Sequence, residues 1–378
     1  MSPGFSTRAI HVGQSPDPVT GDIIPPLHLA STFVMDRVGV PRAGYDYPRS
    51  GNPTRDNLQE TLASLEGGEA ALAFPSGLSA ADTLLRAVTT IGGHVSFGAD
   101  VYGGTYRLLD VVFPREGRTS TPLDLLDLDA VAADLRDNRA EVLWVETPSN
   151  PLLQVFDIAK LADLAHEVGA LLVVDNTFAS PALQRPLELG ADVVTHSTTK
   201  YIGGHSDLIG GAVIGAADVL EKVAYLQNAV GAVPSSQDAY LTSRGLKTLA
   251  VRVRQQSATA LRLAEFLDAD PRVLQVNYPG LPSHPQHLLA ARQMDAFGGV
   301  LSFTVADEQT ARAVCEGTEI FQLAVSLGAA ESLIEHPAAM THATKVDAGT
   351  AIDPALVRLA VGLEDPEDLI ADIDRALG

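Results

Sequence analysis

A chain of 378 residues exceeds what one compact core usually holds, and 46% apolar with 19% charged residues excludes extended disorder, so a large domain with a smaller one is expected. The formal charge of −21, from 26 Lys+Arg against 47 Asp+Glu, opposes binding to nucleic acid or to an anionic membrane through a general field, and any phosphate must be held locally. Cys315 is the single cysteine, which excludes an intramolecular disulfide and a cysteine metal cluster; with no apolar run near 18 residues and no charged-then-apolar leader, a cytoplasmic location is expected.

Residues 1–52 are rich in Pro, Gly, Ser and Tyr and read as an extended arm without a core of its own. Within Gly44-Tyr-Asp-Tyr47-Pro-Arg49-Ser-Gly-Asn52-Pro53-Thr54, residues 47 and 49 share one face of an extended segment. Tyr47 and Arg49 can therefore converge on one anion, or else form an aromatic–basic loop that anchors the arm to a neighbour.

From Pro53 an alternation begins. A helical period over 53–65 stops at Gly67-Gly68, then Ala70 to Phe74 reads as a strand and Ser79 to Ile91 as a helix. Further strands are predicted at His94 to Phe97, Val142 to Glu146, Leu171 to Asp175 and Val193 to His196, separated by helices such as Asp157 to Val168. Such a pattern predicts a mostly parallel sheet with helices on both faces and ligands at the strand C-terminal ends.

Polar residues follow those ends. Phe74-Pro-Ser76-Gly77-Leu78-Ser79 is a strand, a turn and a helix start, whose backbone N–H groups and dipole make an anion site. It matches neither a P-loop nor a dinucleotide fingerprint, and a plain capped helix is the alternative. Tyr102, beside Gly103-Gly104, can lie flat on a planar ligand and use its hydroxyl as an acid, or serve as a core tyrosine. In Glu146-Thr-Pro-Ser-Asn150-Pro151, Asn150 is placed to point into a cleft. Asp175 ends an apolar strand, where its carboxylate can pair with a pyridinium nitrogen or cap the following turn.

The densest stretch is Asp192-Val-Val-Thr-His-Ser197-Thr-Thr199-Lys200-Tyr-Ile-Gly-Gly-His-Ser-Asp-Leu-Ile-Gly-Gly211. A lysine against the end of a buried strand, short of carboxylates and near cations, has its ammonium form disfavoured, which frees the amine of Lys200 for carbonyl chemistry. Ser197 and Thr199 bracket it with hydroxyls of the kind that hold phosphate. Lysine with phosphate-binding hydroxyls suggests pyridoxal phosphate; a surface lysine after a strand is the alternative.

Residues 215–268 read as helical, and a boundary near 250 divides the chain into an arm (1–52), a large domain (53–250) and a small α+β domain (251–378). The last carries strands near Val273 to Tyr278, Val300 to Val305 and Val357 to Val361, and helices near Glu308 to Glu316 and Asp365 to Leu377. Arg358 is a candidate clamp for a substrate carboxylate or a surface arginine. His284-Pro-Gln-His287 offers two histidines and no third ligand, so no metal site is expected.

Together these motifs, from Phe5-Ser-Thr-Arg-Ala-Ile-His11 to Arg358-Leu-Ala-Val-Gly-Leu-Glu-Asp365, resemble the pyridoxal-phosphate enzymes of cysteine and methionine metabolism: cystathionine γ-lyase, cystathionine γ-synthase and methionine γ-lyase. The resemblance implies a PLP-dependent transferase-like fold of the aspartate-aminotransferase type, with pyridoxal 5′-phosphate carried covalently by Lys200. It further implies Asp175 at the pyridinium nitrogen, Tyr102 stacked on the ring and Asn150 near the ring hydroxyl. Ser76, Gly77, Leu78, Ser197 and Thr199 would bind the phosphate, while Tyr47 and Arg49 would reach the phosphate of a neighbouring subunit. A homodimer sharing active sites follows, usually paired again into a homotetramer. Arg358, Ser326 and Leu327 would hold the substrate carboxylate.

Some positions depart from the family pattern. Leu78 stands where methionine is common, and Gly104 where methionine γ-lyases typically carry cysteine. Val325 stands where cystathionine enzymes commonly carry glutamate and methionine γ-lyases carry valine, so the pocket is expected to favour a thioether over a distal ammonium. The runs Leu226 to Ser235 and Tyr278 to His287 instead look like cystathionine γ-lyase. The implied activity is a C–S γ-lyase giving 2-oxobutanoate, ammonia and a thiol. Alternatives are a γ-synthase and an acidic oligomeric binding protein that keeps the fold without the chemistry.

Overall fold

The structure, a computed structural model, describes residues 3–341 and 352–378. Helix α1 (Phe5–His11) opens it, and a short antiparallel pair, β1 (Met35–Arg37) with β2 (Val40–Pro41), follows in the arm. The reading of residues 1–52 as an extended arm is corrected over these short elements, while the arm still has no core of its own. Ala9 is buried in the same apolar cluster as Leu58 and Leu62 of α2 (Pro53–Glu66), so α1 takes its stability from packing on its neighbour. Val19, Ile23, Leu29 and Val38 of the arm stay exposed.

Local chemistry sets the helix ends that matter for the site. Asn52 caps α2 by accepting from the N–H groups of Thr54 and Arg55, Pro53 occupies the first turn, and Gly67 ends the helix with φ of 80°. Ser76 caps α3 (Gly77–Val88) by accepting from Ser79 N at 3.0 Å.

Seven strands make the larger sheet: β3 (Ala70–Phe74), β4 (His94–Gly98), β5 (Thr119–Leu123), β6 (Val142–Glu146), β7 (Leu171–Asp175), β8 (Val193–His196) and β9 (Gly211–Gly215). Their order is β3-β9-β8-β7-β6-β4-β5, parallel except that β9 runs antiparallel to both neighbours. In β6, Val142 and Trp144 pack into one core cluster and Leu143 and Val145 into another, so helices cover both faces. β5 was not anticipated, because Thr-Ser-Thr-Pro-Leu has no apolar run; as an edge strand it tolerates Pro122.

The segment read as helical resolves into three helices, Ala217–Val230, Ser236–Leu246 and Leu249–Asp268. Leu249 and Val253 of the last helix pack with the core around α2, while Leu263 and Leu267 join a second core beneath the smaller sheet. That sheet is formed by β10 (Gln275–Asn277), β11 (Val300–Thr304), β12 (Gln322–Leu323), β13 (Leu333–Glu335) and β14 (Leu356–Ala360), in the order β10-β11-β14-β13-β12. Pro366–Leu377 forms the terminal helix. Among the described residues no helix is long and apolar enough to cross a membrane.

Candidate active site

β7 and β8 pair in parallel with Asp175 opposite Thr195, so the residues that end them, Asp175 and His196, arrive at one rim of the sheet. The turns beyond are tied together by a hydroxyl. Thr177 donates to Asp175 Oδ1 through its N–H (3.1 Å) and its Oγ1 (2.6 Å), and Thr177 Oγ1 accepts from Ser197 N at 2.9 Å. Burial pushes the Asp175 carboxyl above the usual range, while the Thr177 hydrogen bonds and the charge of His196 pull it down.

Lys200 follows β8 by one turn, and its Nζ donates to Ser326 Oγ at 2.6 Å. Burial, then the positive charge of Arg358, lowers the Lys200 ammonium to about 8; Glu335 opposes the shift. A carboxylate therefore does stand near this lysine, and burial outweighs it.

These groups line one cavity of about 470 Å³ together with the start of α3. A Cβ at Gly77 would lie 3.0 Å from Ser197 Cβ, so the α3 N-terminus and the β8 turn touch, and their N–H groups and hydroxyls form a cradle. Thr199 belongs to it less freely, since its Oγ1 donates to Gly210 O (3.2 Å) and accepts from Gly210 N (3.0 Å). Leu78 also lines the cavity.

Tyr102 is 44% exposed at the cavity wall, and its N–H donates to buried Glu146 at 2.7 Å. A Cβ at Gly104 would come within 2.4 Å of the Tyr102 ring and 2.9 Å of Leu78 Cδ1, so the glycine lets the ring lie where it does.

The smaller sheet closes the opposite side. Arg358, in mid-strand on β14, stands in register with Glu335 on β13, and the two are ion-paired at 2.9 Å. Arg358 is 3% exposed; it also donates to Asn150 Oδ1 (2.9 Å) and to Ser326 O (2.7 Å). Burial raises the Glu335 carboxyl, and Arg358, Thr341 and Lys200 draw it down. Leu327 is buried beside Ser326, whereas Val325 is 52% exposed in the cavity wall. Arg107 lines the cavity too and makes no ion pair with a described residue.

Tyr47 and Arg49 are not brought to this cavity. Arg49 lies over the Tyr47 ring, 5.4 Å from its centroid, and donates to Asn228 O (2.8 Å) and Oδ1 (3.0 Å). Sequence reasoning left Glu335, Arg107, Thr177 and His196 without a role. His196 lay inside a motif quoted above and Thr177 two residues beyond Asp175, but Glu335 becomes visible only through the β13–β14 register.

Taken as geometry, a lysine with a depressed ammonium, a strand-end carboxylate, a stacking-capable tyrosine and an anion cradle define a pyridoxal-phosphate enzyme site. The residues present fit that cofactor in the close Gly77–Ser197 approach as well as in the donor set. A family model described as "Cys/Met metabolism PLP-dependent enzyme" matches residues 6–378. The chain is 53% identical over 377 residues to a cystathionine gamma-synthase of Mycobacterium tuberculosis, covering 99% of this chain and 97% of that protein. It is 47% identical over 380 residues to a cystathionine beta-lyase of Coxiella burnetii, covering 99% of this chain and 97% of that protein. The crystal structure of a cystathionine gamma-lyase from Micromonospora echinospora superposes with a TM-score of 0.95 at 44% identity, covering 100% of this chain and 99% of that one. The chain belongs to the family of pyridoxal-phosphate-dependent enzymes of cysteine and methionine metabolism and has its two-sheet fold.

Proposed function

We propose that this enzyme acts at Cγ of a sulfur amino acid as a C–S γ-lyase, releasing a thiol, 2-oxobutanoate and ammonia with uptake of one water. The observation that carries the proposal is the Lys200 amine, lowered to about 8 and hydrogen-bonded to Ser326 beside Arg358. Pyridoxal phosphate, when bound, supplies an electron sink for carbanions at Cα and Cβ. Lys200 would carry the cofactor at rest and, once displaced by the substrate amine, take protons from Cα and then Cβ, a task suited to an amine partly free near neutral pH. Asp175 would hold the proton on the ring nitrogen, helped by Thr177 and His196. Ser76, Gly77, Leu78, Ser197 and Thr199 would bind the phosphate, and Asn150 would stand by the ring hydroxyl. Arg358, steadied by Glu335 and Asn150, would grip the α-carboxylate with Ser326 and Leu327 as its floor. Tyr102 would protonate the departing thiolate.

Val325 favours a thioether, since an apolar wall offers nothing to a distal ammonium. Tyr47 and Arg49 lie away from their own cavity on an arm with exposed apolar residues, which supports their completing the phosphate site of a second copy. The working unit would then be a homodimer, paired again into a homotetramer.

One observation favours a second reading, γ-replacement as in the synthase relative. Arg107, a cavity cation without an ion-pair partner among the described residues, can bind the distal carboxylate of a succinylated homoserine. The test supplies the loaded enzyme with L-methionine, L-cystathionine, or O-succinylhomoserine plus cysteine. The lyase reading expects 2-oxobutanoate from a thioether as the fastest reaction, methionine leading. Cystathionine formed faster than any 2-oxobutanoate appears would overturn it in favour of the synthase.

A further inference from the structure

Behind the cofactor side of the cavity lies a polar cluster whose inner members, Glu66, Asn176 and Gln184, the reaction above does not use. Glu66, the last residue of α2, is 0% exposed, and its Oε1 lies 2.5 Å from Nε2 of His196, itself 1% exposed at the end of β8. Asn176 Nδ2 donates to the same Oε1 (3.0 Å) and to Gln184 O (2.8 Å), while Asn176 Oδ1 accepts from Gln184 Nε2 (3.0 Å). Donating on one side and accepting on the other, the Asn176 amide has one orientation only. Glu66 Oε1 therefore accepts from Asn176, and in its short contact with Nε2 of His196 the two groups share one hydrogen.

Glu66 Oε2 and His196 Nδ1 have no hydrogen-bond partner among the described residues. A carboxylate buried with one oxygen bare is costly unless a cation faces it, and His196 is the group in contact with it. His196 also lines the cavity, and its positive charge favours the ionised form of Asp175 on the neighbouring strand. Glu66 faces the imidazole from α2 and Asp175 faces it from β7. Glu66, His196 and Asp175 thus run in line from the core to the cavity.

We propose that Glu66 and His196 form a buried charged pair that positions Asp175 as a carboxylate, the form that would pair with the ring nitrogen of a bound cofactor. The inference rests on the role given to Asp175 above, and it holds for γ-elimination and γ-replacement alike. Glu66 and His196 are positioning residues, since they act through Asp175.

Two measurements on the loaded enzyme test it. In solid-state 15N spectra of histidine-labelled protein at pH 7, with His196→Asn as the assignment control, both ring nitrogens of His196 are expected to be protonated; a neutral ring would overturn the pair. In Glu66→Gln, which keeps the shape and loses the charge, the pH midpoint of the cofactor's visible band is expected to rise by about half a unit or more, with kcat about 10-fold lower and KM within about 2-fold. Glu66→Asp, which keeps the charge, should return the midpoint toward wild type. A Glu66→Gln midpoint equal to wild type, or equal shifts in both variants, would contradict the proposal. None of these band or nitrogen signals depends on which keto acid forms, so failure of the γ-lyase reading leaves a separate trace.

Discussion

The two sheets bring functional groups to one cavity by different means. From the seven-stranded sheet they arrive at strand ends: Asp175 closes β7, His196 closes β8, and Lys200 follows within a turn. From the five-stranded sheet Arg358 comes out of mid-strand, enclosed by its neighbours and matched in register by Glu335. A strand-end group is tuned by the turn beside it, as Thr177 tunes Asp175. A mid-strand charge cannot relax into solvent and depends on a fixed counter-charge. The first rim therefore suits groups that exchange protons, and the second suits an anchor.

If that division is right, the variants separate by what they disturb. The largest effect is expected for Lys200→Ala, which should lower turnover by about 10⁴-fold or more while thermal unfolding of the protein stays cooperative, since a rim residue carries little of the core. Glu335→Ala should act the other way round, on the fold. It leaves Arg358 buried without its counter-ion, and chemical denaturation should show a loss of about 3–5 kcal/mol. A loss under 1 kcal/mol would mean that the anchor is not enclosed after all. Asp175→Asn should lower kcat by about 10²-fold with little change in denaturation midpoint.

The smallest effect concerns pH. Because burial and Arg358 lower the Lys200 ammonium to about 8, more free amine exists at any given pH than for an ordinary lysine. Capture of pyridoxal phosphate by cofactor-free enzyme should accelerate with rising pH through a midpoint near 8. A midpoint near 10.5, that of an ordinary lysine, would show that the amine is not shielded as described.

The same contrast governs what was legible in the chain. Strand ends are readable because an apolar run stops at a polar residue, as in Leu171 to Asp175 and Val193 to His196, and both strands lie where they were expected. The glycine turn after Glu66 was equally plain, since that helix stops at a left-handed glycine. β5 was hidden because its pairing with β4, and not its own residues, makes it a strand. Glu335 was hidden for a related reason: cross-strand register is a property of two segments, and one sequence does not state which residues face each other. α1 escaped because seven residues with one buried alanine carry too little periodicity to mark a helix.

The most direct measurement of the central claim is the identity of the keto acid released from L-cystathionine by the cofactor-loaded enzyme. Chemistry at Cγ, with protons taken from both Cα and Cβ, predicts cysteine, ammonia and 2-oxobutanoate. Pyruvate and homocysteine in their place would place the broken bond at Cβ and contradict the account.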